Sequence, residues 1–154
     1  MEDLVNKFYT AFKNLQAEEM VSCYHPEVTF HDPAFGTLKG ERAKNMWRML
    51  IQSQKGKEFL VDYKIIRVDS NSGKVHWEAQ YFFSKTGRKV HNRIKAEIIF
   101  KDGLIHQHID EFHLHHWAAM ALGWKGRLFG WTSFFKKKLQ KNTNRLLSNF
   151  EENN

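Results

Sequence analysis

A single cysteine, Cys23, is all the chain has, so it can close no disulfide on itself. A small secreted scaffold stapled by bridges is thereby excluded, and a reducing compartment, the cytoplasm, is the expected location. No apolar run approaches a membrane span, and the opening MEDLVNKFYTAF lacks the basic start and cleavage site of a signal peptide. Repeats and low-complexity tracts are absent as well. Acidic residues are missing from one region. Residues 118–150 carry seven bases (Lys125, Arg127, Lys136, Lys137, Lys138, Lys141, Arg145) and no Asp or Glu, whereas residues 1–117 hold 17 bases against 15 acids. Most of the net charge of +7 therefore lies in the tail, and no nucleic-acid surface is expected over the domain.

What is present suits one domain. The 154 residues, 42% of them apolar, suffice for a proper core. The 13 Phe and 5 Trp suit large rings placed around a cavity. Residues 104–117, LIHQHIDEFHLHHW, alternate as an extended strand does. One face would carry His106, His108, Asp110, Phe112 and Leu114, the other Ile105, Gln107, Ile109, Glu111 and His113. Neither face is purely apolar, so one side of this strand is expected to line a ligand pocket.

Upstream, helical spacing predicts a helix over residues 3–15, with Val5, Phe8, Phe12 and Leu15 as its core stripe and Tyr9 at the edge. A shorter helix over 17–24 ends before Pro26, and Cys23 within it reads as a small buried hydrophobe. A third helix, 41–52, has Ala43, Met46, Trp47, Leu50 and Ile51 on one face. A short strand at 28–30 runs into His31-Asp32-Pro33-Ala34-Phe35-Gly36, which leaves Asp32 at a strand end. Two readings of Asp32 stand: it bonds nearby backbone in a turn, or it is a carboxylate held at a pocket wall, where desolvation raises its pKa. Three more strands precede 104–117. They are 59–68, 74–84 with Val75, Trp77, Ala79, Tyr81 and Phe83 facing one way, and 89–100 with Val90, Asn92, Ile94, Ala96, Ile98 and Phe100 inward. Thr86-Gly87 and Asp102-Gly103 supply the turns. The order is α+β: three N-terminal helices packed on one side of a curved antiparallel sheet.

Residues 118–154 form a separate, basic and aromatic-rich extension. Thr132 or Ser133 caps a last helix in which Phe135, Leu139, Leu146 and Phe150 share a face. This helix is expected to pack on the domain or a partner subunit, with an anionic membrane surface as its rival. A metal site would draw on His106, His108 and Asp110. Alternate residues on one strand lie about 7 Å apart, however, and would need further ligands to close a site, so no metal is expected.

The pattern resembles the nuclear transport factor 2-like superfamily, the α+β cone of ketosteroid isomerase and SnoaL-like polyketide cyclases. The resemblance covers residues 1–117 and rests on the helix around Phe8-Tyr9, on FHDPAFG, on Gly40-Glu41 and on the closing DGLIHQHIDEF. The tail, MALGWKGRLFGWTSFF, looks like an extension shared by uncharacterised SnoaL-like bacterial proteins. For ketosteroid isomerases the resemblance implies a general base at Asp32 and an oxyanion donor at Tyr9. The position of their protonated Asp is matched by Ala96, with Asn92 on the same face as a substitute donor. For limonene epoxide hydrolases it implies a carboxylate at Asp110, while Trp77 and Ala79 stand where that family has an Arg and an Asp. SnoaL-like cyclases pair an Asp with a His, which places His108 beside Asp110. Two functions are therefore expected. One is proton transfer on a small apolar carbonyl compound, with Asp32 or Asp110 as base, Tyr9 or His108 polarising the oxygen, and Phe30, Trp47, Trp77, Tyr81, Asn92 and Phe112 lining the pocket. The other is a non-catalytic module that holds an apolar ligand, or a dimeric one with a basic tail. A homodimer is expected, and no cofactor.

Overall fold

The computed structural model describes residues 1–153. Three helices, α1 (Glu2–Lys13), α2 (Ala17–Val21) and α3 (Gly40–Gln54), lie against a curved, unclosed sheet. The sheet is built from β1 (Tyr24–Asp32), β2 (Gly36–Lys39), β3 (Phe59–Val68), β4 (Ser72–Phe83), β5 (Arg88–Lys101) and β6 (Leu104–Glu111). Its strand order is β2-β1-β6-β5-β4-β3. Four neighbouring pairs are antiparallel and β1 runs parallel to β6. That parallel pairing is the main departure from the expected all-antiparallel sheet. It follows because β1 enters from the helical layer, and the last strand of the meander closes the sheet against it.

Local chemistry explains the regular parts. Val5, Phe8 and Phe12 of α1 are buried in the core together with Met46, Trp47 and Ile51 of α3. Along β5, Ile94, Ala96, Ile98 and Phe100 are buried in strict alternation, with Val90 buried further along the same face. The β5–β6 hairpin turns through Asp102 (φ 52°) and Gly103 (φ 75°), the two positive φ angles of a type I′ turn.

Three sequence expectations need correction. The strand read over 104–117 stops at Glu111, and α4 (Leu114–Leu122) begins within it, so Leu114 does not continue the strand's face. The helix read over 17–24 ends at Val21. Tyr24 opens a strand longer than the short one expected, with Pro26 inside it. Pro26 is tolerated there because the β1–β6 register jumps between the Tyr24↔Ile105 and Thr29↔Gln107 pairs, leaving residues 25–28 outside the ladder. β2 was not anticipated; Gly36 (φ 75°) reverses the chain rather than ending structure.

The extension holds three helices, α4, α5 (Trp124–Phe129) and α6 (Ser133–Glu152), and the boundary drawn at Trp117 falls inside α4. Thr132 caps α6, its hydroxyl accepting the Phe135 N–H at 3.1 Å. The face of α6 turned to the domain centres on Leu147, fully buried, while Leu146 of the expected stripe is exposed. Arg42 of α3 reaches α6 through Glu151, the Asn144 carbonyl and Ser148.

Candidate functional site

His108 and Asp110, two apart on β6, both point inward, with 0% and 3% of their surface exposed. Their interaction is direct, Nε2 to Oδ1 at 3.0 Å. Trp77 Nε1–H donates to the same oxygen at 3.1 Å. On the other side of the ring, His108 Nδ1 lies 2.8 Å from the Tyr24 hydroxyl, which in turn accepts the Trp47 Nε1–H at 2.8 Å. One assignment leaves no donor unused: Tyr24 donates to Nδ1, and Nε2 carries the proton offered to Asp110. The result is a buried polar chain, Trp47–Tyr24–His108–Asp110–Trp77, inside a wall of rings. Phe8, Phe30 and Trp47 stand within 5.4 to 6.2 Å of the imidazole. Buried polar groups have to be paired, and this chain pairs both ring nitrogens of His108, the Tyr24 hydroxyl and both indole N–H groups, with two donors meeting on Asp110 Oδ1.

Asp32 ends β1. The β1–β6 ladder runs to His31↔Ile109, so Asp32 and Asp110 are the next residues on two neighbouring parallel strands, and the charge of Asp110 bears on Asp32. The turn reading of Asp32 is met. Its Oδ1 accepts the Phe35 N–H at 2.6 Å across the Pro33–Ala34 turn. It is also only 9% exposed. Burial pushes its carboxyl up to about 7, the Phe35 amide opposing and Asp110 adding to the rise. A carboxyl poised there can give or take a proton near neutral pH.

The α6 helix holds this turn from outside. Gln140 Nε2 donates to the Pro33 carbonyl at 3.1 Å, Thr143 Oγ1 to Ala34 at 2.8 Å, and Asn144 Nδ2 to Phe35 at 2.8 Å. Lys136, in its first turn, opposes the rise at Asp32 by its charge. Sequence reasoning missed this grip entirely, because nothing in a helix's own spacing says which loop it will meet.

Tyr9 is buried, stacked on Tyr63 at 5.0 Å and tilted against Trp77. Its hydroxyl has no hydrogen-bond partner among the described residues. Burial first, and Asp110 next, push its pKa well above the ordinary value, so it remains a donor. Of the expected lining, Phe30 and Trp47 are packed around His108, whereas Trp77, Tyr81, Asn92 and Phe112 are half-buried on the concave side. Tyr81 accepts the Trp117 Nε1–H at 2.9 Å, which pins α4 over the end of the sheet. Tyr24 was missed because it reads as the end of a helix. The one available signal was its place four residues before Val28 on the buried side of an extended run. Two surface concavities, of about 390 and 580 Å³, lie elsewhere; Trp77 apart, neither is lined by the site residues just described.

His106 does not share a face with His108. The β5–β6 register slips between Ile99↔Gln107 and Phe100↔Ile105, which leaves His106 unpaired and turned toward His25, ring to ring at 5.2 Å, and Glu27 joins them to give three ligand-type groups within 4.8 Å of one another. Here the chemistry argues against a metal. His25 Nδ1 accepts the Glu27 backbone N–H at 3.1 Å, so Nε2 carries the proton and faces Asp102 at 3.5 Å. Glu27 is taken by Lys101 at 3.1 Å. Cys23 is buried, and burial pushes its thiol up, away from nucleophilic use.

This mixed α+β cone, with buried carboxylates and a histidine on its inner strands, defines the class of domain. A SnoaL-like domain family model matches residues 5–108, and the chain belongs to that family, within the nuclear transport factor 2-like superfamily. None of the curated proteins matches it. Among solved structures, an LEH-like epoxide hydrolase of M. tuberculosis is similar at 18% identity and TM-score 0.58, over 83% of this chain and 89% of that one. A putative polyketide cyclase of Silicibacter is similar at 14% identity and TM-score 0.63, over 78% and 93%. A de novo designed protein with a curved β-sheet is as similar, 20% identical with TM-score 0.58 over 94% of each chain. A designed scaffold matching as well as the enzymes do makes plain that this likeness concerns the fold alone.

Proposed function

We propose that the chain is a proton-transfer enzyme acting on a small, largely apolar carbonyl compound, with Asp32 as the group that moves the proton. The observation that carries this reading is a pair of buried carboxyls, Asp32 and Asp110, each one residue beyond the last β1–β6 pair His31↔Ile109, with Asp32 raised to about 7. As a carboxylate, Asp32 takes a proton from the carbon next to the carbonyl; the C–H electron pair moves into an enolate, and the same proton returns at another carbon or at oxygen. The unpartnered Tyr9 hydroxyl is a buried donor whose cost a ligand oxygen would relieve. His108, fully enclosed, orients Asp110 rather than touching substrate, and Asp110 keeps the Asp32 proton affinity high. Trp77, Tyr81, Asn92 and Phe112 would contact the apolar body of the ligand.

The test is hydrogen–deuterium exchange at the α-carbon of a panel of apolar ketones and polyketide-like diketones, followed by NMR. Asp32→Asn is expected to slow exchange by about 10² or more relative to the unaltered chain. Equal exchange in both would end the catalytic reading.

One observation favours a second reading, a binding module without chemistry. Asp110 is already engaged by His108 and Trp77, and opposite it in the β5–β6 ladder stands Ala96 rather than a second acid. Apolar ligands that raise the melting temperature of the chain and of Asp32→Asn alike, with no exchange in either, would establish it. We also propose a homodimer through the convex face of the sheet, where Leu60, Ile66, Phe82 and Ile99 are exposed. Phe82→Lys should then convert dimer to monomer in sedimentation.

A further inference from the structure

Beyond the cone, the α5 segment and the start of α6 display an unusual surface. Trp124, Leu128, Phe129, Trp131 and Phe134 are each between 56% and 73% exposed. The exposure is built in rather than frayed. The Gly126 and Gly130 positions face α4 so closely that a Cβ on either would overlap its backbone or Ala118, so α5 is pressed across α4 by its glycine side. Trp124 and Leu128 lie on the opposite side of that helix and must face outward. The Trp131 ring is fixed by its N–H, which donates to the Leu128 carbonyl at 2.9 Å.

Around this apolar crest stand Lys125, Arg127, Lys136, Lys137 and Lys138, and none of them is in an ion pair with a described residue. No acid occurs between Ala118 and Phe150 to balance them. Large rings flanked by cations of one sign suit the boundary of an anionic bilayer: Trp and Phe enter the headgroup–acyl border, and Lys and Arg meet lipid phosphates. A second copy of the chain fits poorly, since a two-fold contact through this face would bring the same five cations against each other. No helix among the described residues is long and apolar enough to cross a membrane, so the contact would be interfacial.

We infer that the face formed by α5 and the first turns of α6 docks the protein on an anionic lipid surface. The charge complementarity of the crest carries this, independently of any chemistry at Asp32. It is tested by sedimentation of the full chain with vesicles of phosphatidylcholine alone and of phosphatidylcholine mixed with phosphatidylglycerol. Binding is expected to the mixed vesicles, to weaken in high salt, and to be near background on the neutral ones. The exposed-residue double variant Trp131→Ser, Phe134→Ser should lose about ten-fold or more in binding while melting like the unaltered chain. The triple variant Lys125→Gln, Lys137→Gln, Lys138→Gln, which leaves Lys136 and its charge near Asp32 in place, should lose a similar factor. The inference is overturned by no binding to mixed vesicles, by undiminished binding of both variants, or by equal binding to neutral vesicles. A dimer in lipid-free solution that Trp131→Ser, Phe134→Ser dissolves would also overturn it, as would tighter binding to single-stranded oligonucleotide than to lipid.

Discussion

The five tryptophans divide the molecule in two. Trp47, Trp77 and Trp117 each spend their indole N–H inside the cone, on Tyr24, Asp110 and Tyr81. Trp124 and Trp131 stand in solvent, 67% and 72% exposed. The same residue type thus serves two physical ends. Inside, the ring fills volume and its donor satisfies a polar group that burial would otherwise orphan. Outside, the ring contributes nothing to the core and remains available for a partner phase. The difference teaches that this chain's high aromatic content is not one feature. Part of it packs against the inner face of the sheet, and part of it stands outside the core.

Substitutions can break or sharpen this contrast. Trp47→Ala should do the most damage, costing about 4 kcal/mol in urea unfolding, because it removes a buried ring and leaves Tyr24 without its donor. Next comes Leu147→Ala, where α6 is pinned to the domain, at about 3 kcal/mol by the same measurement. Asp32→Asn should change stability in a pH-dependent way. The wild-type carboxyl is raised from its ordinary 3.8 to about 7, so its contribution to stability is fully present below 3.8 and is lost as pH rises through 7. The Asn variant lacks that loss and should be more stable by about 2 kcal/mol above neutrality, with little difference in acid. Thermal melts across the pH range would check it; a variant equally destabilised at every pH would contradict the burial argument. Trp77→Phe keeps an aromatic ring but removes the donor to Asp110 and the volume of the second ring, an expected cost of about 1 to 2 kcal/mol. Trp131→Ala, on the crest, should stay within about 0.5 kcal/mol of the unaltered chain.

Much of the cone was legible beforehand, and for a reason. Alternation in β4 and β5, the Asp102-Gly103 turn and the stripes of α1 and α3 are local signals, each readable from a few neighbouring residues. Tyr24 and His106 were not legible, because register irregularities decide which way each points, the β1–β6 jump for Tyr24 and the β5–β6 slip for His106, and an irregular register leaves no period to read. The end of β6 was misjudged likewise. The sequence FHLHHW continues an alternating pattern on paper, yet helix α4 takes over at Leu114, where contact with β5 rewards turning back.

From the sequence by itself came the α+β order, the inward rows of the meander strands and the concentration of positive charge in the tail, since periodicity and composition are properties of neighbouring residues. Tertiary structure alone decided that Asp32 and Asp110 become neighbours, that Tyr24 and Trp77 complete the chain through His108, and that α6 grips the turn bearing Asp32. Each of those depends on segments tens of residues apart meeting, and such meetings are set by how the whole chain packs rather than by any window of it.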